Sequence, residues 1–202
     1  MVTVPKNDTA LLVIDMQRAF FDESCSLGQL GADVAPLRAA IPGCVKLVTA
    51  ARAAQVPVIF TRYVYLPGMA DFAARRDERA KARIAVNSLG ADTQEIEIIP
   101  ELAPLPHEVV IDKARPSAFY ATRLEPVLTG QGIRNLVICG VTTNICVEGT
   151  ARDAGQRDYG TYVVRDAVAE FSPERNHYSL VTIDWMFGEV VTLYDVETGW
   201  AG

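Results

Sequence analysis

Three residues of this chain combine a reactive type with a suggestive place: a thiol, a carboxylate and an ammonium, each at or just past the end of an apolar run. Cys146 follows the run at 135–139 in the stretch NLVICGVTTNICVEGTARDAGQRD (135–158). That run is short and rich in branched residues, as a buried strand requires. Gly140 breaks it, Thr142, Thr143 and Asn144 are N-cap types, and a helix follows from Ile145 with Val147, Ala151 and Ala154 at helical spacing. Cys146 therefore falls in the first turn of a helix that leaves the carboxyl end of a strand. Unpaired N–H groups and the positive end of the helix dipole favour an anion there. The thiol is expected to ionise below its reference pKa of about 8.5, toward ~3.5–7.5. Most free cysteines are inert core residues, but this position points at the crevice where open α/β sheets bind ligands.

Asp15 closes TALLVID (9–15) and Lys113 closes EVVIDK (108–113). A carboxylate closing a buried strand is a loop cap or a functional group. A lysine at a strand end is ordinarily solvated. Both matter if their strands lie beside the one that leads to Cys146.

The elements that must position them read as six strands, at 9–15, 57–63, 108–113, 135–139, 159–165 and 189–194. Helical periods fall between them. Val34, Leu37, Ile41, Cys44, Val45 and Val48 predict a short turn and then a main helix from Pro42. A short helix is expected at 121–128, closed by Gly130 and Gly132; this G-Q-G is a C-cap turn rather than a phosphate loop. Ser172-Pro173-Glu174 starts a helix running to about Phe187. The tail ETGWAG carries no motif. Strands alternating with helices, without a hairpin signal, predict an α/β fold. Its form is a three-layer α/β/α domain around a six-stranded, mostly parallel, Rossmann-like sheet. Residues 1–202 make a single domain, with 65–106 an irregular, lid-like insertion rich in turns and prolines. Within it, 71–83 is charged in both signs and reads as a solvated helix face. Its five basic residues against three acidic ones offer an anionic substrate a second, weaker reason to approach.

Half of the 202 residues are hydrophobic and 22% charged, which is ordinary for a globular protein. The net charge of -6 gives no reason to expect nucleic acid or an anionic membrane as partner. The first apolar run, 10–14, is far too short to span a membrane, and no signal peptide is legible, so a cytoplasmic protein is expected. Four cysteines, at 25, 44, 139 and 146, do not make a disulfide framework in a chain of this length. A Cys139–Cys146 pair is disfavoured because Cys139 should point from its strand into the core.

LLVIDMQ (11–17), DKARPSAF (112–119) and GVTTNICVEGTARDA (140–154) resemble, in order and spacing, the isochorismatase-like cysteine hydrolases. The resemblance runs from about Thr9 to about Asp195 and is weakest over the insertion. It implies a triad of Asp15, Lys113 and Cys146. Cys146 would be the nucleophile that forms a thioester-type intermediate. Asp15 would be general base and then acid, and Lys113 a charged partner that orients Asp15. It also implies a cis peptide at Val141–Thr142 and an oxyanion hole from the N–H groups of Thr142 and Cys146. Members with nicotinamidase activity bind a metal through an Asp and clustered histidines. Here only His107 and His177 exist, from which no metal site can be assembled, so no metal or other cofactor is expected.

The function expected is metal-independent hydrolysis of a C–N bond in a small amide, carbamoyl or ureido substrate, releasing ammonia. Alternatives are an isochorismatase-type vinyl ether hydrolase, a nicotinamidase-like amidase and a nucleotide-binding module. The last is weak because DMQRAFFD after the first strand has no glycine-rich turn. Phe20, Phe21 and Phe119 are candidates to sandwich a flat group, with Tyr65, Asn87, Arg115 and Thr143 as further substrate contacts. The resemblance also implies a homodimer or homotetramer.

Overall fold

Apolar runs buried on both faces need a covering layer above and below, and strands alternating with helices supply it. The computed structural model describes residues 2–72 and 77–201. In chain order the elements are β1 (Thr9–Ile14), α1 (Ser26–Gln29), α2 (Ile41–Ala54), β2 (Val58–Tyr63), α3 (Glu78–Ala85), β3 (Val109–Lys113) and α4 (Leu124–Gly130). They continue with β4 (Asn135–Val141), α5 (Glu148–Gly155), β5 (Gly160–Ala169), α6 (Pro173–Met186), β6 (Glu189–Val191) and α7 (Leu193–Trp200). The strands form one sheet in the order β3-β2-β1-β4-β5-β6. Every pairing is parallel. This is the expected three-layer architecture.

The side-chain period of two divides the central strands between two cores. Leu11, Val13, Val137, Cys139 and Val141 pack with Leu47 and Val48 of α2 and with Val196 and Trp200 of α7. Ala10, Leu12, Ile14, Leu136 and Ile138 pack with Leu124 and Leu128 of α4, Ala151 and Ala154 of α5, and Ile183 of α6. Each fully buried leucine or isoleucine contributes roughly 1.5–3 kcal/mol, so a one-residue slip of β1 or β4 would be heavily penalised. Cys139 and Cys146 consequently lie in opposite cores. All four cysteines are free. Cys139 sits against Cys44, which, with burial, pushes its thiol well above the ordinary range.

Four boundaries differ from the sequence reading. Gly140 does not break β4; it lets β4 pass β1. Its φ is +116°, and a Cβ there would stand 2.1 Å from the Ile14 carbonyl oxygen. β5 runs on to Ala169 through a bulge, its register with β4 shifting between Ile138 and Gly140. α4 starts at Leu124 because the Thr122 hydroxyl accepts the Leu124 N–H (3.1 Å). β6 stops at Val191, and α7 (Leu193–Trp200) takes in the first four residues of the tail read as carrying no motif. Its start is a capping box, in which Thr192 Oγ1 accepts the Asp195 N–H (3.2 Å) and Asp195 Oδ2 accepts the Thr192 N–H (2.9 Å). The T-x-x-D signature at 192–195 was available in the sequence.

Residues 65–106 contain α3 and short 3₁₀ turns at Pro67–Met69, Gln94–Ile96 and Pro100–Leu102. Part of the charged helix expected at 71–83, residues 73–76, lies outside the described residues. Asp77 Oδ1 caps α3 by accepting the Ala80 N–H (2.9 Å). The segment is strapped to the chain after β1. The buried Glu95 carboxylate accepts the Ser26 N–H and hydroxyl, each at 2.8 Å, and the Leu89 N–H. Ile99 N–H donates to the Met16 carbonyl (3.0 Å). Among the described residues no helix is long and apolar enough to cross a membrane.

Candidate active site

The sheet order puts β1 beside β4, and the chain leaves these two strands toward opposite sides of the sheet. Such a switch point opens a crevice at the carboxyl ends of the strands. Asp15 is the first residue past β1 and Lys113 the last of β3.

The Asp15 backbone turns sharply, with φ +50°, and its N–H donates to the Thr61 carbonyl oxygen (3.2 Å). Its carboxylate is held at both oxygens. Oδ1 accepts the Thr61 hydroxyl (2.6 Å) and Oδ2 accepts the Lys113 ammonium (2.7 Å). Neither side chain of this ion pair is exposed at all. Lys113 Nζ also donates to the Arg115 carbonyl (3.2 Å) and stands 4.3 Å from the centre of the Tyr63 ring. Burial pulls the Lys113 pKa down, but the charges and hydrogen bonds of Asp15 and Cys146 together outweigh it, so the ammonium is held above its ordinary value.

Cys146 stands beside this pair. β4 ends at Val141, the Val141–Thr142 peptide is cis, and residues Thr143–Val147 form a π turn ahead of α5. The wide turn shows in the Val147 N–H reaching the Thr142 carbonyl (3.2 Å). Turns of this kind gather at functional sites. The cysteine thus lies in this wide turn, two residues before the regular helix, and it is 3% exposed.

The expected acidic thiol is not what the surroundings produce. Burial pushes Cys146 up to about 12; Lys113 pulls it down and Asp15 pushes it up. Loss of water outweighs the helix end because the carboxylate beside the sulfur offsets much of the ammonium. The resting site holds a thiol next to an ion pair. Alkylation of Cys146 by iodoacetamide should therefore accelerate steadily from pH 7 to 10, mapped by peptide mass spectrometry. A rate that levels off near pH 7 would show a preformed thiolate instead.

The other nominated residues divide. Thr142 and Thr143 are buried beside Cys146, and the Thr143 hydroxyl has no hydrogen-bond partner. Tyr65 is buried and donates its hydroxyl to that of Tyr63 (3.2 Å). The three phenylalanines do not come together. Phe20 and Phe21 pack in the core shared with Tyr65, whereas Phe119 packs in the other. Phe119 stacks on Tyr159 at 5.7 Å, with Arg157 4.9 Å above its ring. Asn87 is spent on its own loop, donating to Asp92 Oδ1 (2.8 Å). Arg115 Nη1 donates to the carbonyls of Asp71 (3.0 Å) and Ala114 (2.5 Å). Helix and strand periods do not say where a loop side chain turns, which is why the sequence could not tell that the three phenylalanines lie in different cores.

The histidines stand apart from the triad residues. His107 shares a cavity with Arg52 and Glu108 before β2 and β3, and His177 packs edge-on against Tyr178 on α6. Among the described residues no three His, Cys, Asp or Glu side chains gather as a metal would need.

Several residues around the site went unnoticed in the sequence. Thr61 and Tyr63 face it from β2, Thr61 through the Asp15 carboxylate and Tyr63 beneath the Lys113 ammonium. Gln17 clamps the end of β2, accepting the Tyr63 N–H (2.6 Å) and donating to the Tyr63 carbonyl (3.1 Å). Arg83 of α3 lies over Tyr65 and Phe72, 5.9 and 5.8 Å from their ring centres.

This geometry has relatives. The family model of the isochorismatase domain matches residues 9–195. Ureidoacrylate amidohydrolases are similar along nearly the whole chain. That of Azorhizobium caulinodans is 32% identical, covering 99% of this chain and 93% of its own. Among solved structures, a cysteine hydrolase from Pseudomonas syringae pv. phaseolicola is 30% identical with a TM-score of 0.88, covering 100% of this chain and 96% of that one. An N-carbamoylsarcosine amidase from Thermoplasma acidophilum is 25% identical with a TM-score of 0.70, covering 92% and 96%. The chain belongs to the isochorismatase family. Within it, this protein is an isochorismatase-like cysteine hydrolase.

Proposed function

We propose that this C–N hydrolase, an amidohydrolase of the isochorismatase family, releases ammonia from a small carbamoyl or ureido substrate through a thioester-type intermediate on Cys146. The observation that carries the reading is the fully buried Asp15–Lys113 pair, 2.7 Å apart, beside a protonated thiol. As Sγ bonds to the substrate carbonyl carbon, the thiol proton passes to Asp15. The carbonyl electron pair moves onto oxygen, where the N–H groups of Thr142 and Cys146 receive it as an oxyanion hole. Collapse breaks the C–N bond, and Asp15 returns its proton to the leaving nitrogen, which departs as ammonia. Water then attacks the thioester-type carbon with Asp15 again as base, freeing the acid and restoring the thiol. Lys113 stays charged throughout, which favours the thiolate as it forms and keeps Asp15 aimed.

A thiol held near 12 suits this order of events, because proton transfer and attack are coupled rather than separated. Amines need a proton as they leave, and the same carboxylate has just acquired one. The relatives that act on ureidoacrylate and N-carbamoylsarcosine, by their names, support a ureido or carbamoyl group as the part that reacts.

An ammonia-release screen tests the reading with ureidoacrylate, carbamoyl amino acids, biuret, maleamate and nicotinamide. At least one ureido or carbamoyl compound is expected to be the fastest substrate. Faster turnover of an isochorismate-type vinyl ether, or of an ester, than of every amide and ureido compound would refute it.

A further inference from the structure

Arg83 is a cation with an unusual lack of company. It projects from α3, in the insertion after β2, and its Nε is buried without a hydrogen-bond partner. It makes no ion pair among the described residues; the acids nearest in sequence are engaged elsewhere. Glu78 pairs with Lys81 (2.7 Å) and Asp92 with Asn87 (2.8 Å), and Glu95 is taken by Ser26 and Leu89. A guanidinium carries five donors and no acceptor, so a buried N–H without an acceptor is costly unless something else arrives to fill it.

The rings beneath Arg83 lead to the reacting thiol. Its guanidinium carbon stands 5.9 Å from the centre of Tyr65. Tyr65 is 5.3 Å from Tyr63, centre to centre, and Tyr63 carries Lys113 4.3 Å above its ring. The Tyr63 phenol responds to both ends of this row. Burial mainly pushes its pKa up, Cys146 adds to the push, and Arg83 pulls the other way. Cys146 and Arg83 are thus within electrostatic reach of one tyrosine, with aromatic faces between them.

We propose that Arg83 anchors a carboxylate at the far end of the substrate, so that the enzyme prefers short ureido or carbamoyl acids to neutral amides. This rests on the reading above for the bond that is cleaved. The flat ureido group meets Cys146, the carbon chain crosses Tyr63 and Tyr65, and the carboxylate takes the guanidinium fork in a bidentate pair. Recognition of this kind sits on the insertion rather than on the sheet, and it does no proton transfer. Arg83 is a binding and specificity residue. A purely structural strut, stacked on Tyr65 and Phe72 to hold α3 down, is the competing account.

The experiment compares 3-ureidoacrylate with N-propylurea, which has a methyl group in place of the carboxylate and a saturated chain, on the wild type, Arg83→Met and Arg83→Lys. The wild type is expected to favour the acid. Arg83→Met should lower kcat/KM for the acid about 100-fold, chiefly through KM. It should leave N-propylurea unchanged, and Arg83→Lys should recover part of the loss. Equal loss on both compounds would mark a strut, and no loss on the acid would dismiss the anchor. If the wild type hydrolyses neither compound, the proposed reaction is in question rather than the anchor. Calorimetric binding of 3-ureidoacrylate to Cys146→Ala, with and without Arg83→Met, then decides. Binding lost with Arg83 upholds the anchor, and binding unchanged, or absent from both, overturns it.

Discussion

Cys146→Ala is expected to lower turnover by about 10⁴-fold or more, because it removes the only atom that can form the covalent bond to substrate. The change deletes one buried sulfur and leaves the rest of the π turn intact. Far-UV circular dichroism and the urea midpoint should stay close to those of the wild type. Cys44 and Cys139 cannot substitute, since both lie in the other core. Ammonia release from the best substrate of the screen provides the measurement. Activity within tenfold of the wild type would remove Cys146 from the chemistry and leave the buried pair without a purpose.

Lys113→Met is expected to damage both stability and activity. The Asp15 carboxylate would keep its Thr61 hydrogen bond but lose the one cation it pairs with among the described residues, at full burial. Stranding one member of a buried pair costs about 3–5 kcal/mol, read as a lower urea midpoint at an unchanged slope. Asp15→Asn alone leaves Lys113 stranded in the same way. The double variant, neutral on both sides, should be more stable than either single. Turnover should behave differently: each single loses orders of magnitude, and the double loses little more than the worse single, since both residues serve one proton transfer. Additive losses in turnover would mean that they act separately.

The positions of Asp15, Lys113 and Cys146 were legible because each follows an apolar run, and runs buried on both faces are the plainest signal a parallel sheet gives. Their company was not. Thr61 reads as one polar residue in a strand, and nothing in VIFTRY says that its hydroxyl meets a carboxylate 46 residues earlier. The thiol's acidity was misjudged because a helix start is a local feature, whereas burial and a neighbouring carboxylate arise only when distant strands are joined. Gly140 looked like a strand breaker, since a sequence cannot distinguish a glycine that ends pairing from one that admits a close neighbour. Arg83 was absorbed into a charged stretch that reads as solvated. Its direction depends on how α3 is tied down across Glu95 and Ser26, and no residue period encodes that.

The burial of Cys146 also governs how this enzyme withstands oxidants. Peroxide attacks thiolates, and exposed ones first. A cysteine that is 3% exposed, and whose thiol burial pushes up to about 12, presents almost none of that species at neutral pH. In the proposed mechanism the nucleophile is formed only while a substrate carbonyl lies against it, so the reactive form is consumed as soon as it appears. Sulfenic acid, and the sulfinic and sulfonic acids beyond it, then have little opportunity to accumulate between turnovers. Cys25, the least buried of the four thiols, stands open to oxidation first.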